Sequence, residues 1–418
     1  MTGGTGAGTA PVDPTHGSAF FITVLGIGQI CSWGSLYYSF PLIADAMGRE
    51  LGWSKPELYT AATLGLALSG LTAYPVGVAI DRGYGRILMG GASVLAGLLL
   101  LGWSQVHSLA LFYALFACIG ALQSATLYEP AFAVVARRVG GIEARRGITA
   151  LTLWGGFAST VFVPLIQILI DQHGWRVALE VLGLINLTLC AGLYLSAIRP
   201  SLDPSDALPL IQTDRPGGNG DVAQAFRSPI FWALAVAFTA FAATFSAFTF
   251  HFYPLLIERG YSAAQAVTVI AFIGPAQVAG RIAIWVVAPN ASVRRIGSIV
   301  IVALPLSMAA IGLFPLSLPE MVLVAIVYGA VNGIMTIVRG MAVPEMLSRR
   351  AYGAINGALT APALIAKAAA PLGAALLWSV TQSYDAVLIA LFAGGVVTAA
   401  GFWTAAMLSR RSDVGGVI

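Results

Sequence analysis

Apolar runs of about twenty residues recur along almost the whole chain, each closed by a short polar turn. Twelve can be marked, at residues 18–46, 57–80, 87–105, 109–135, 147–170, 175–197, 229–257, 263–288, 296–316, 319–346, 351–378 and 384–408. A helix needs roughly 20 mostly apolar residues to cross a bilayer, so each run predicts a membrane-spanning helix. The alternating pattern of an outer-membrane barrel is absent. One polar stretch interrupts the rhythm: residues 199–228 hold Pro200, Pro204, Pro209 and Pro216, Gly217, Gly218 and Gly220, and four aspartates. It reads as a turn-rich linker. The expected fold is therefore an all-α integral membrane protein of twelve transmembrane helices in two pseudo-symmetric six-helix bundles. Its expected parts are a disordered tail (1–17), a first bundle (18–198), the linker (199–228), a second bundle (229–408) and a short tail (409–418).

Composition agrees: 58% of the 418 residues are hydrophobic and 10% charged, against about 25% charged in soluble proteins. The charges also set an orientation. Of 22 Lys and Arg, fifteen fall in the loops after even-numbered spans or in the C-terminal tail, and four in the loops after odd-numbered spans. By the positive-inside rule both termini are cytoplasmic, in a multi-pass protein of the cell membrane. The pI near 9.0 follows from that topology and argues for no nucleic-acid partner. Residues 1–17 carry no Lys or Arg and so lack the basic start of a cleavable signal peptide. Cys31, Cys118 and Cys190 lie inside spans and read as small buried apolar residues. The scattered His and Cys have no metal-site spacing, and no Walker loop is present. Neither an enzyme nor a cofactor is expected.

Two cations stand out. Arg281 is the only charge in residues 263–288, and Lys367 the only charge in 351–378. A charge at membrane depth costs at least about 2.5–3.5 kcal/mol, and a small anion that moves between them is the simplest return. Arg281 offers a fork that fits a carboxylate, and Gln277 lies one turn earlier on the same helix face. Tyr37, Tyr38, Tyr128, Trp154, Tyr328 and Asn332 are further candidates to line a cavity. His251, near a span end, reads as a gating or solvated residue. Gly65, Ser69, Ala73 and Gly77 repeat every four residues and predict tight helix packing. Pro164, Pro254, Pro275, Pro305 and Pro371 predict bends; none points to chemistry by itself.

Between spans two and three the chain reads Gly77-Val-Ala-Ile-Asp81-Arg82-Gly83-Tyr84-Gly85-Arg86. This resembles the signature loop of the major facilitator superfamily, and the resemblance implies that Asp81, Arg82 and Arg86 couple helix positions during conformational change. Three further places are similar to the monocarboxylate porter and oxalate–formate antiporter branch. They are Cys31-Ser32-Trp33-Gly34 with Phe40-Pro41, then Arg145-Arg146-Gly147 leading to Trp154-Gly155-Gly156, and the pair Gln277 and Arg281. Proton-coupled relatives keep an acid where this chain has Gln277. Lys367 resembles the lysine of the antiporters, and Tyr128 and Tyr328 resemble aromatic positions around their anion. In this superfamily the helices bearing Glu129 and Arg339 face each other from opposite bundles, which implies a Glu129–Arg339 gate. The resemblance implies a monomeric secondary transporter of a small carboxylate, either an exchanger or a proton-coupled symporter using Lys367, Glu129 or His251. Its rivals are a proton-driven efflux pump for amphipathic compounds and a membrane sensor that does not transport.

Overall fold

The computed structural model describes residues 14–139, 141–199, 224–288, 291–347 and 352–415, with backbone alone at 14–18, 81, 141–145, 285, 352–354 and 411–415. Among these residues there are helices and no strands. Eleven helical stretches are long and apolar enough to cross a membrane, one fewer than expected. The difference lies in Arg146–Ala197, a stretch of 52 residues. At 1.5 Å per residue it would run about 78 Å, against roughly 30 Å of hydrocarbon. Gly174, at φ 82° and ψ 167°, breaks it into two. The twelve membrane helices are then α1 (Ala19–Leu51), α2 (Lys55–Ala79), α3 (Arg82–Ser104), α4 (Leu109–Val139), α5 (146–173), α6 (175–197), α7 (Pro229–Glu258), α8 (Ala263–Ile284), α9 (Val293–Leu313), α10 (Leu318–Met346), α11 (Ile355–Thr381) and α12 (Tyr384–Arg410). Helical backbone already begins at Pro14, inside the segment expected to be a tail, and α12 continues to Gly415. Most of the expected linker lies outside the described residues.

The two halves repeat one packing scheme. In the first, α1 packs on α5, α2 on α4 and α3 on α6; in the second, α7 packs on α11, α8 on α10 and α9 on α12. The halves meet through α2 against α11 and α5 against α8, two contacts that the same repeat exchanges. Local chemistry follows the repeat too. Ser54 and Ser262 open the equivalent helices α2 and α8 with capping boxes closed by Glu57 and Gln265, satisfying N–H groups that a helix start leaves free. The peripheral helices turn Leu95, Leu98, Leu189, Ile299, Leu306 and Ile389 outward, as a lipid-facing surface requires.

One end of the molecule carries Arg82, Arg86, Arg137, Arg138, Arg146, Arg294 and Arg295; it is called the basic end here, and the opposite one the far end. Gly83 adopts φ 90° in the turn of the basic loop, a conformation that costs other residues about 1–2 kcal/mol. Each far-end arginine has a carboxylate partner: Arg49 with Asp45, Arg176 with Glu50 and Arg259 with Asp385. The α2 stripe is only partly a packing face. A Cβ on Gly120 of α4 would lie 2.0 Å from the Gly65 carbonyl, whereas Gly77 faces open space.

Candidate functional site

Helices that face the middle of the molecule are interrupted there. α1 widens into a π-helical turn at Gly34–Tyr38, a feature frequent at functional sites. α4 breaks at Leu127, α5 turns at Phe157, and α8 turns at Phe272. The α4 break has a chemical cause: Pro130 has no N–H to give the Thr126 carbonyl one turn earlier. Gln29 Nε2 of α1 donates to that carbonyl instead, at 2.9 Å.

The wide turn of α1 carries an aromatic cluster. The Trp33 ring lies 5.2 Å from Tyr37, 6.2 Å from Tyr38 and 4.9 Å from Tyr128 of α4, centroid to centroid. The Trp33 Nε1 and Tyr37 hydroxyl are buried without a hydrogen-bond partner among the described residues. A buried donor left bare costs about 1–3 kcal/mol, so an acceptor placed against this turn would find two donors. From the second half, Tyr328 of α10 packs on Phe248 at 4.5 Å and stacks on Phe245. Its hydroxyl lies beside Thr249 but out of bonding geometry.

Both cations come to this cluster. Lys367 Nζ lies 5.7 Å from the Tyr37 ring centroid, within cation–π range. Arg281 is buried and sits beside Tyr38 and Tyr128. Its Nη1 donates to the Thr152 carbonyl of α5 at 2.8 Å, across the two halves, and its Nε to the Gly333 carbonyl of α10 at 3.3 Å. Neither cation forms an ion pair among the described residues. Gln277 is buried one turn before Arg281 and lines a cavity of about 40 Å³ with Tyr38, Ser159, Phe248, Thr249 and Tyr328. That is room for roughly three waters.

The remaining expected residues are placed differently. Trp154 packs its ring against Gly26 of α1. Asn332 is half-buried one turn beyond Tyr328. Glu129 is exposed toward the basic end. It makes no ion pair with Arg339 in this state, though its charge acts through space on both Arg339 and Lys367. Arg339 lines a separate polar pocket with Thr336, Asn356 and Thr360. Arg82 and Arg86 are exposed, and the side chain of Asp81 lies outside the described residues. His251 is not solvated: it is fully buried, with Nδ1 2.9 Å from the Tyr384 hydroxyl and Nε2 2.8 Å from the Pro371 carbonyl. Cys118, expected to be buried, is exposed. Sequence reasoning left Trp33, Phe245 and Phe248 out of the site. Trp33 precedes Tyr37 by four residues, a spacing that puts both on one helix face and was a usable signal.

Four side-chain hydrogen bonds join the halves among the described residues. Tyr59 to the Phe250 carbonyl, Tyr253 to Gln167, and Thr160 to the Ala271 carbonyl run from the membrane centre toward the far end. The Arg281 bond to Thr152 is the one nearest the basic end. The far end is thus closed over the cluster.

Known proteins place this architecture. The oxalate:formate antiporter of Oxalobacter formigenes is 29% identical over 226 residues, covering 53% of this chain and 52% of the antiporter, so that match spans about half of each. Monocarboxylate transporter 13 of Bos taurus is 25% identical over 384 residues, covering 89% of this chain and 84% of that one. In three dimensions the chain is similar to a bacterial homolog of the human lysosomal transporter Spinster in an inward-facing, unoccupied conformation (TM-score 0.72, 13% identity, 97% of this chain and 99% of that one). It is also similar to the nucleoside transporter NupG (TM-score 0.71, 13% identity, 93% and 98%); at such identities the likeness concerns the fold. Residues 25–371 match the sequence profile of the Major Facilitator Superfamily, and with the duplicated six-helix architecture around a central cluster, this chain belongs to that superfamily of transporters.

Proposed function

We propose that the protein moves a small organic carboxylate across the cell membrane by alternating access, with Arg281 and Lys367 as the anion's principal partners. One observation carries this reading: two cations approach a single aromatic cluster with no carboxylate paired to either among the described residues. Among the described residues Arg281 donates to carbonyl oxygens, which are neutral and leave its charge for a ligand. Trp33 Nε1 and the Tyr37 hydroxyl add bare donors at the same place. An acceptor-rich anion satisfies all of these groups, whereas a neutral or cationic cargo leaves the two positive charges unmet.

The arrangement favours exchange. Two uncompensated cations resist burial, so the halves close more readily around a bound anion than around an empty site. The arginine distribution supports a cytoplasmic basic end, so the state described here opens toward the cytoplasm. Gln277 carries no titratable proton where proton-coupled relatives keep an acid, which also favours exchange over symport.

The test is uptake and counterflow of labelled lactate, pyruvate, oxalate and succinate in proteoliposomes. Charge-assisted hydrogen bonds contribute about 1.5–3 kcal/mol each, so Arg281→Gln and Lys367→Gln are each expected to lower carboxylate flux by about tenfold or more. Intact flux in both variants would remove the assignment of the site.

A further inference from the structure

A proline inside a helix has no N–H, so the carbonyl four residues earlier loses its helical partner. In four places among the described residues that carbonyl is met by a side chain from another helix. Gln29 meets Thr126 ahead of Pro130, and Ser246 Oγ meets Lys367 ahead of Pro371 at 2.7 Å. The Tyr59 hydroxyl meets Phe250 ahead of Pro254 at 2.7 Å, and Thr160 Oγ1 meets Ala271 ahead of Pro275 at 2.8 Å. The first two bonds lie within one half. The last two cross between the halves, from α2 to α7 and from α5 to α8.

We propose that Tyr59 with Pro254, and Thr160 with Pro275, form a paired latch that sets the balance between the far-end-closed and far-end-open states. When the far end is closed, Phe250 and Tyr59 are almost fully buried, and no water replaces the hydroxyl. The Tyr59 hydroxyl is then the side chain that meets the Phe250 carbonyl. When the far end opens, water enters and either group finds a partner. The Tyr59 hydroxyl therefore stabilises the closed state specifically; Thr160 and Ala271 are half-buried, so the Thr160 bond adds a smaller bias, and the prolines create the need for both.

The surroundings hold the latch in register. The Tyr59 ring stacks on His251 at 4.1 Å and 16°. His251 is itself pinned by Tyr384 and the Pro371 carbonyl. Lys55, one turn before Tyr59, places its Nζ 3.4 Å from the Trp378 ring centroid of α11. His251 thus acts as a positioning residue for Tyr59. The charged groups nearby, Lys55 and Glu258, lie at the rim, where Glu258 accepts from Trp378 Nε1.

The latch concerns the conformational balance and stands whatever the cargo. Its test is the distance between spin labels at Gln172→Cys and Pro315→Cys, exposed far-end positions on opposite halves, in a Cys118→Ser background and in lipid nanodiscs. Tyr59→Phe is expected to raise the open-to-closed ratio by about tenfold and Thr160→Val by about threefold; Thr160→Ser, which keeps the hydroxyl, should match the parent. Pro254→Ala restores the N–H that satisfies Phe250 within α7, so Tyr59→Phe in that background should shift nothing. Pro275→Ala should likewise cancel the effect of Thr160→Val. An unchanged ratio in both hydroxyl-deleted variants would overturn the proposal. So would an equal shift with and without the proline, which would make the effect one of ring packing.

Discussion

The two halves approach each other closely at a pair of glycines, Gly156 and Gly274, and the contact yields a sharp perturbation. A Cβ built on Gly274 of α8 would stand 2.2 Å from the Gly156 carbonyl of α5, 2.7 Å from Thr160 Oγ1 and 3.2 Å from Ser159 Oγ. Ordinary contact begins near 3.4 Å, so Gly274→Ala leaves the backbone of α5 about 1.2 Å too near. Because the obstacle is backbone, no rotamer relieves it, and the helices themselves must separate. Overpacking of this kind costs about 1–3 kcal/mol. Gly274 and Gly156 lie within one turn of the Thr160–Ala271 bond, so on the latch proposed above they part with it and the cost falls on the closed far end. The expected result is a shift toward the open state of about 5- to 150-fold. Spin labels at Gln172→Cys and Pro315→Cys read it as a new long-distance population. Transport should slow, because each cycle must pass through the disfavoured state. Gly77→Ala is the control, since a Cβ there meets nothing within 4 Å. If Gly274→Ala keeps the parent's distance distribution while folding normally, the glycine contact does not govern how closely the halves approach.

Two further outcomes follow from named contacts. Gln29→Leu leaves the Thr126 carbonyl with only the longer, 3.4 Å bond from the Tyr194 hydroxyl and should destabilise the protein by about 1 kcal/mol, seen as a lower thermal midpoint in detergent; adding Pro130→Ala should recover part of it, and an unchanged midpoint in the single variant would refute the account. Glu129→Arg and Arg339→Glu should each slow transport, and the double reversal should partly restore it if the two pair when the basic end closes; absence of rescue would remove that pairing.

Much of the architecture was legible because membrane insertion imposes a length and a polarity on every helix. The twelve runs mark the helices to within several residues at most ends, and the scarcity of charge isolates Arg281 and Lys367. The boundaries that failed did so for local reasons. α1 runs on to Leu51 through an amphipathic end that holds Asp45, Arg49 and Glu50, and α4 runs past its break at Leu127 to Val139. Hydropathy averages over such polar helical turns and cannot distinguish them from loops. The stripe through Gly65 and Gly77 was half right, because a small residue permits close approach but does not supply a neighbour.

The site was legible as a set of charges and less so as a geometry. Arg281 and Lys367 lie eighty-six positions apart, and nothing in their own helices says that both approach one turn of α1. That turn exists because Gly34–Tyr38 winds wider than an α-helix, shifting which side chains face inward. The prolines carry a similar lesson. In the sequence Pro254, Pro275 and Pro371 mark only bends. Their effect appears four residues earlier, at carbonyls whose new partners stand on other helices. A single sequence can locate every such carbonyl by subtraction, and hydroxyl residues are plentiful enough in the spans to meet them. It cannot tell that Tyr59 and Thr160 reach across the halves while Gln29 and Ser246 stay within one. On the latch proposed above that distinction decides function: a bond inside a half survives the transport cycle, and the far-end bonds between the halves break and re-form in each turnover.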